Sequence, residues 1–347
     1  MLKVAAFFSI TMLCAAADYP EPADYPEPIE GDFTIRDFHF HSGETLPDLR
    51  LHYTTVGNPS NPAVLIMHGT GGTGRGFLSA GFAGQLFGTG QPLDATKYFI
   101  VLPDGIGHGK SSKPSDGLRM HFPHYCYDDM VVADYRLLTE KLGIKHMRLI
   151  MGTSMGAMHS WVFGEMYPDF MDALMPLASA PVEIAGRNRM LRRMIVDSIR
   201  DDLEWKNGDY EKPPRGLIGA QYGLTMMTSS PLQMLKASPT RADADAAFEK
   251  VKERAMRSDA NDMIYQFESS ADYNPAPKLE KITARLIAVN SADDQVNPPE
   301  LGILEREIKR VKHGRYVLIP ISDETRGHGT HSVAKLWKQY VVELLAN

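Results

Sequence analysis

Cysteine is almost absent from this chain: two occur in 347 residues, Cys14 and Cys126. Cys14 falls in a segment expected to be removed, so the mature chain keeps one thiol and can form no intrachain disulfide in any redox compartment. Basic blocks are missing too. Lys+Arg 37 against Asp+Glu 43 gives a net charge of −6, with no cationic run long enough to track a phosphate backbone, which argues against nucleic acid as a partner. No Walker lysine follows a glycine-rich turn, leaving phosphoryl transfer without support. What is present is a balance of 43% apolar and 23% charged residues, which excludes disorder, collagen and coiled coil and suffices for a full core. The length admits two domains or one large α/β domain with an insertion.

Lys3, the apolar run Val4 to Leu13 and the small residues Ala15-Ala16-Ala17 have the layout of a secretory signal peptide, residues 1–17, cut after Ala17. The run is too short to span a bilayer, so no stable membrane insertion is expected after cleavage, and the product is periplasmic or secreted. Cys14 invites a lipid anchor, but Leu13 is large where such a signal wants a small residue. Asp18 to Pro28 repeats Asp-Tyr-Pro-Glu-Pro in tandem, and its alternating prolines favour an extended, hydrated arm over residues 18–32.

Phe33 to His41 and Leu49 to Gly57 alternate in polarity around a turn and read as a hairpin. Ala63 to Met67, Tyr98 to Leu102, Met147 to Met151, Ala173 to Leu177, Arg285 to Val289 and Tyr316 to Ile319 are short continuous apolar runs, the mark of strands covered on both faces. Val131, Tyr135, Leu138 and Leu142 form one stripe of a covering helix that Gly143 stops. The fold class is therefore α/β, with a mostly parallel sheet and helices on both faces. Between Pro181 and Pro277 the strand signal vanishes while helical patterns persist at Asn188 to Ile199 and Ala242 to Met256. Residues 181–277 thus read as a helical lid inserted into a core of residues 33–180 and 278–347, above the strands' carboxyl ends, where open α/β sheets bind ligands.

Met147 to Met151 leads into Gly152-Thr153-Ser154-Met155-Gly156 and then a helical stretch, which is G-x-S-x-G in the strand–turn–helix setting that gives it meaning. A serine hydroxyl needs an imidazole to take its proton and a carboxylate to hold that imidazole, in chain order Ser, acid, His. His328, in the loop Arg326-Gly327-His328-Gly329-Thr330, is the expected base, with His331 as the fallback. Asp294 is the preferred acid; Asp293 remains open and reads as a solvated turn residue. The N–H groups of Met155 and of Thr70, after the strand Ala63 to Met67, are the expected oxyanion donors.

His68-Gly69, the Asp104 to Ser112 loop, Gly152 to Gly156, Tyr167 to Asp172 and Gly186-Arg187-Asn188 together resemble α/β-hydrolase-fold enzymes, within them the homoserine O-acetyltransferase-like branch. The resemblance implies an eight-stranded sheet, a helical lid, a narrow pocket for a short acyl group and a homodimer through the lid. It implies a serine-dependent hydrolase of short-acyl esters working through an acyl-enzyme, with a small-molecule ester as substrate and no cofactor or metal. The alternative is an acyl-CoA-dependent O-acyltransferase, disfavoured because export separates the chain from acetyl-CoA and because Thr70 to Gly74 is glycine-rich where transferases of the branch differ. A dinucleotide-dependent oxidoreductase is a remote alternative, since Gly69 to Gly74 fits G-x-G-x-x-G and Asp104 ends the next strand. His39 with His41, and His121 with His124 near Cys126, read as ordinary polar residues rather than metal ligands. Mass spectrometry of the exported product should find Asp18 at the amino terminus; an intact Met1 would overturn both leader and localisation.

Overall fold

The computed structural model of the protein describes residues 24–346, so the expected leader and the first part of the arm lie outside the described residues. Eight strands are described: β1 (Ile29–His39), β2 (Thr45–Val56), β3 (Ala63–Met67), β4 (Phe99–Pro103), β5 (Met147–Thr153), β6 (Ala173–Leu177), β7 (Arg285–Ser291) and β8 (Gly314–Ile319). They form one sheet in the order β1-β2-β4-β3-β5-β6-β7-β8. β1 and β2 make the antiparallel hairpin and β2 runs antiparallel to β4, while every later pairing is parallel.

The continuous apolar runs have a direct physical reason. Successive side chains point to opposite faces, so Val64, Ile66, Leu149 and Met151 enter one core while Leu65, Met67 and Ile150 enter the other. Neither face meets water, and alternation has nothing to select for.

The helices are α1 (Ala83–Leu86), α2 (Tyr127–Arg136), α3 (Met155–Met166), α4 (Gly186–Arg200), α5 (Gly216–Thr228), α6 (Pro231–Ala237), α7 (Arg241–Ala255), α8 (Ala260–Glu268), α9 (Ile303–Glu307) and α10 (Lys338–Leu345). The stripe expected from Val131 to Leu142 divides into α2 and a π-helical turn over Leu137–Lys141, after which Gly143 takes φ 68° and ends it. α3 is buried on nearly every side, as a helix without a polar face must be.

Helices α4 to α8 lie between β6 and β7 and carry a core of their own, in which Leu191, Ile195 and Ile199 of α4 meet Leu217 of α5, Ala255 of α7 and Ile264 of α8. The sequence reading missed α5, α6 and α8. Gly216 and Gly219 argue against a helix on propensity, yet a Cβ at either would fall within 2.3 Å of Ser198, so glycine is what lets α5 lie against α4.

The amino-terminal arm departs from expectation where it is described. β1 begins at Ile29 rather than Phe33, and Asp24 to Pro28 is not a free spacer. Tyr25 packs edge-on against Phe87 with ring centroids 5.8 Å apart, and Asp24 accepts a hydrogen bond from the Thr89 N–H. Burial of an aromatic ring outweighs the hydration that its prolines favour. Among the described residues, no helix is long and apolar enough to cross a membrane.

Candidate active site

The site begins at the bend between β5 and α3. Ser154 sits there with φ 53° and ψ −110°, a conformation that costs a non-glycine residue roughly 1–3 kcal/mol. Its neighbours make the bend tight enough to impose this. A Cβ on Gly152 would lie 2.2 Å from the Gly156 backbone, and one on Gly156 would lie 2.1 Å from the Met67 carbonyl oxygen. The Ser154 N–H donates to the Leu177 carbonyl at 2.9 Å and the Gly156 N–H to the His68 carbonyl at 3.0 Å, pinning the turn to the flanking strand ends.

From 174 positions further along the chain, His328 Nε2 comes within 2.8 Å of Ser154 Oγ. Its Nδ1 lies 3.0 Å from Asp294 Oδ2 and 3.1 Å from Oδ1. A carboxylate can only accept, so the Nδ1 proton points to Asp294 and Nε2 is left to accept from the serine hydroxyl. Burial pushes the Asp294 carboxyl up, but His328 beside it and the Val296 and Asn297 N–H donors hold it below its ordinary value, so it stays ionised.

The two alternatives left open in the sequence fall elsewhere. Asp293 is buried rather than solvated: its Oδ2 accepts from the Gly327 N–H at 2.9 Å and its other oxygen from Ser291 Oγ. It secures the loop immediately before His328 instead of facing the ring. His331 lies edge-on to His328 at 5.3 Å, has no hydrogen bond to Ser154, and is pulled down to about 3 by burial, with His328 adding to the effect.

Met155 follows Ser154 at the start of α3, and Thr70 follows Gly69, where a Cβ would lie 3.2 Å from Ser154 Cβ. Among the described residues neither backbone N–H has a hydrogen-bond acceptor. Met155 opens α3, whose amino end favours negative charge. The Thr70 N–H belongs to the peptide whose carbonyl is that of Gly69, and that carbonyl accepts from His68 Nδ1 at 2.8 Å and from the Gly72 N–H at 2.9 Å. His68 Nε2 accepts from the Gly105 N–H at 3.0 Å, and burial lowers the ring's pKa, so the imidazole is neutral with its proton on Nδ1. A trans peptide points its N–H opposite to its carbonyl, so His68 fixes the direction of the Thr70 N–H. The sequence reading gave His68 no such part; its signal was its place directly before Gly69. It likewise missed Asn297, whose side chain spans from the Ala178 carbonyl toward Asp294.

Gly69, Thr70, Ser154 and His328 line one cavity of about 720 Å³, roofed by side chains of the inserted helices, among them Arg192, Leu224 and Phe267. The glycine pattern Gly69 to Gly74 leads only into a five-residue 3₁₀ turn, Gly74–Leu78, not the helix a pyrophosphate site requires. Asp104 is not available to a ribose either, since its oxygens accept from the Gly74 and Lys110 N–H groups at 2.7 and 2.8 Å. His39 Nδ1 lies 2.9 Å from Thr45 Oγ1, and among the described residues no group of three or more His, Cys, Asp or Glu is placed to hold a metal ion.

Two of the buried histidines set an acid limit on stability. His159 and His331 are both pulled to about 3 by burial, whereas an unfolded histidine titrates near 6.5. Their contribution is complete above about pH 6.5 and is lost as pH falls towards 3, at up to about 1.4 kcal/mol per pH unit for each ring. Urea unfolding at pH 7.5 and 5.5 should show this loss, and His159→Phe should reduce it; equal losses in both proteins would refute the assignment.

Comparison with known proteins places this geometry. The family model described as alpha/beta hydrolase fold matches residues 62–320. A probable acyltransferase of Methanothermobacter thermautotrophicus is 27% identical over 277 residues, covering 78% of this chain and 84% of that one. A homoserine O-acetyltransferase of Haemophilus influenzae is 29% identical over 284 residues, 71% of this chain and 78% of its own. Among solved structures, an acetylester hydrolase from Corynebacterium glutamicum superposes with a TM-score of 0.81 at 20% identity, covering 92% of this chain and 96% of that one. The chain therefore belongs to the alpha/beta hydrolase fold family, where its relatives are those of the homoserine O-acetyltransferase-like branch.

Proposed function

We propose that the protein is a serine hydrolase of short-acyl carboxylic esters. The observation that carries this reading is the 2.8 Å approach of His328 Nε2 to Ser154 Oγ with the Asp294 carboxylate behind the ring. Ser154 Oγ attacks the ester carbonyl as His328 takes its proton, and the N–H groups of Met155 and Thr70 hold the negative oxygen. The tetrahedral adduct collapses, the imidazolium returns the proton to the departing alcohol, and the acyl group remains on Ser154. Water, deprotonated by His328, then attacks the acyl-enzyme, and the imidazolium returns that proton to Ser154 Oγ as the acyl–oxygen bond breaks and the acid leaves. Asp294 stays ionised throughout and holds the proton-bearing Nδ1 in place.

Water as acceptor is supported by the expected leader, which would carry the chain away from acetyl-CoA into the periplasm or medium. The second reading, acyl transfer to an alcohol, shares every step up to the acyl-enzyme and is favoured by the acyltransferase names of the relatives. Labelling with a fluorophosphonate, followed by ester turnover with and without acetyl-CoA, separates the two. Labelling at Ser154 and turnover without the thioester are expected; a rate that requires acetyl-CoA would establish the transferase. Asp294→Asn should cut kcat by roughly 10⁴-fold, the size seen when a triad acid is neutralised. Asp293→Asn should act chiefly on stability, and a kcat loss equal to that of Asp294→Asn would overturn the division of roles.

A further inference from the structure

Two non-glycine residues beside the site take positive φ. Ser154 is one; the other is Ala178 at φ 60°, buried and the first residue past β6. Such a conformation persists only where neighbours impose it, and Ala178 is fixed from both sides. Its N–H donates to the Val289 carbonyl of β7 at 2.9 Å, and its carbonyl accepts from Asn297 Nδ2 at 3.0 Å. The peptide that supplies the Ala178 N–H also carries the Leu177 carbonyl, which accepts from the Ser154 N–H at 2.9 Å.

Asn297 reaches the acid as well. Its backbone N–H donates to Asp294 Oδ1 at 3.1 Å, and its Nδ2 lies 3.5 Å from Asp294 Oδ2, a longer contact. A carbonyl and a carboxylate only accept, so the side-chain amide must turn its NH₂ group towards both. Asn297 is itself held in place, because its carbonyl accepts at 2.7 Å from Nδ2 of Asn290, which is buried on β7. Nucleophile and acid are thereby joined along two routes. One runs through His328, whose nitrogens lie 2.8 Å from Ser154 Oγ and 3.0 Å from Asp294 Oδ2. The other runs from Ser154 through Leu177, Ala178 and Asn297 to Asp294, and it contains no group that gains or loses a proton in the reaction.

We infer that Asn297 is a positioning residue: it ties the Asp294 turn to the strand end that anchors Ser154, and so keeps acid and nucleophile at the separation one imidazole spans. The inference rests on the ester-cleaving reading, with Ser154 as nucleophile and Asp294 behind His328. The first route is broken and remade at each proton transfer. The second persists throughout, which lets the ring return to the same place between the two half-reactions.

The readout is the rate of fluorophosphonate labelling at Ser154, which needs the three side chains but neither an ester nor acetyl-CoA. Asn297→Ala should slow the limiting labelling step on the order of 10-fold and leave the half-saturating reagent concentration unchanged, as expected for lost alignment. The deciding comparison is a double-mutant cycle with Asp294→Asn. A residue that works through the acid has nothing to work on once the acid is neutralised, so Asn297→Ala should slow Asp294→Asn protein by less than about 2-fold. A residue that only supports the fold slows both backgrounds by the same factor; that result, or a wild-type rate in Asn297→Ala, overturns the inference. Should Asn297→Ala fail to fold, Asn297→Ser takes its place in the cycle with the same expectations, since its hydroxyl stops one bond short of the Nδ2 position. Ester turnover by wild-type protein tests the underlying reading separately. Labelled protein that cleaves no ester refutes that reading while the cycle still decides the role of Asn297, and wild-type protein that is not labelled overturns both.

Discussion

The whole site depends on one backbone bend. Ser154 is held at positive φ because β5 must turn into α3 within a space that no side chain at Gly152 or Gly156 could share. The strain is sustained by its surroundings: β5 is paired on both sides by β3 and β6, and α3 is packed on almost every face. A bend on a loosely held strand would relax, and the hydroxyl would lose its fixed relation to the N–H groups beside it. Core packing and site geometry are here the same constraint.

The electrostatics are arranged by withholding partners as much as by supplying them. His68, His108, His159 and His331 are all driven towards the neutral form by burial, and none hydrogen-bonds a carboxylate. His328 differs because Asp294 stands behind it, itself kept ionised by backbone donors. A cluster of imidazoles is thereby sorted by hydrogen bonding into one that can receive a proton and several that serve as neutral polar packing.

How much of this was legible in the sequence follows from how local each signal is. The strands were readable because burial on both faces leaves uninterrupted apolar runs, and the Ser154 bend because its steric requirement is written in two glycines. His328 and Asp294 could be found from chain order and their positions after the last two strands, although their meeting across 34 residues is a tertiary fact. Asp293 and Asp294 look alike in sequence; only the path of the chain sends one to Gly327 and the other to the ring. Helix α5 was illegible because its glycines answer to the neighbouring α4, not to local propensity. Tyr25 was misjudged because its partner Phe87 lies more than sixty residues away.

The first turn of α4 is tied to the segment that bears the carboxylate. Arg187 donates to the Gln295 carbonyl and to its side chain, and Asn188 to the Val296 carbonyl. Val296 in turn donates to Asp294. The roof therefore cannot pivot as a rigid plate about its amino-terminal edge without dragging the acid away from the imidazole. The α4 edge is thereby a fixed doorpost of the chamber, tied to the acid it stands beside.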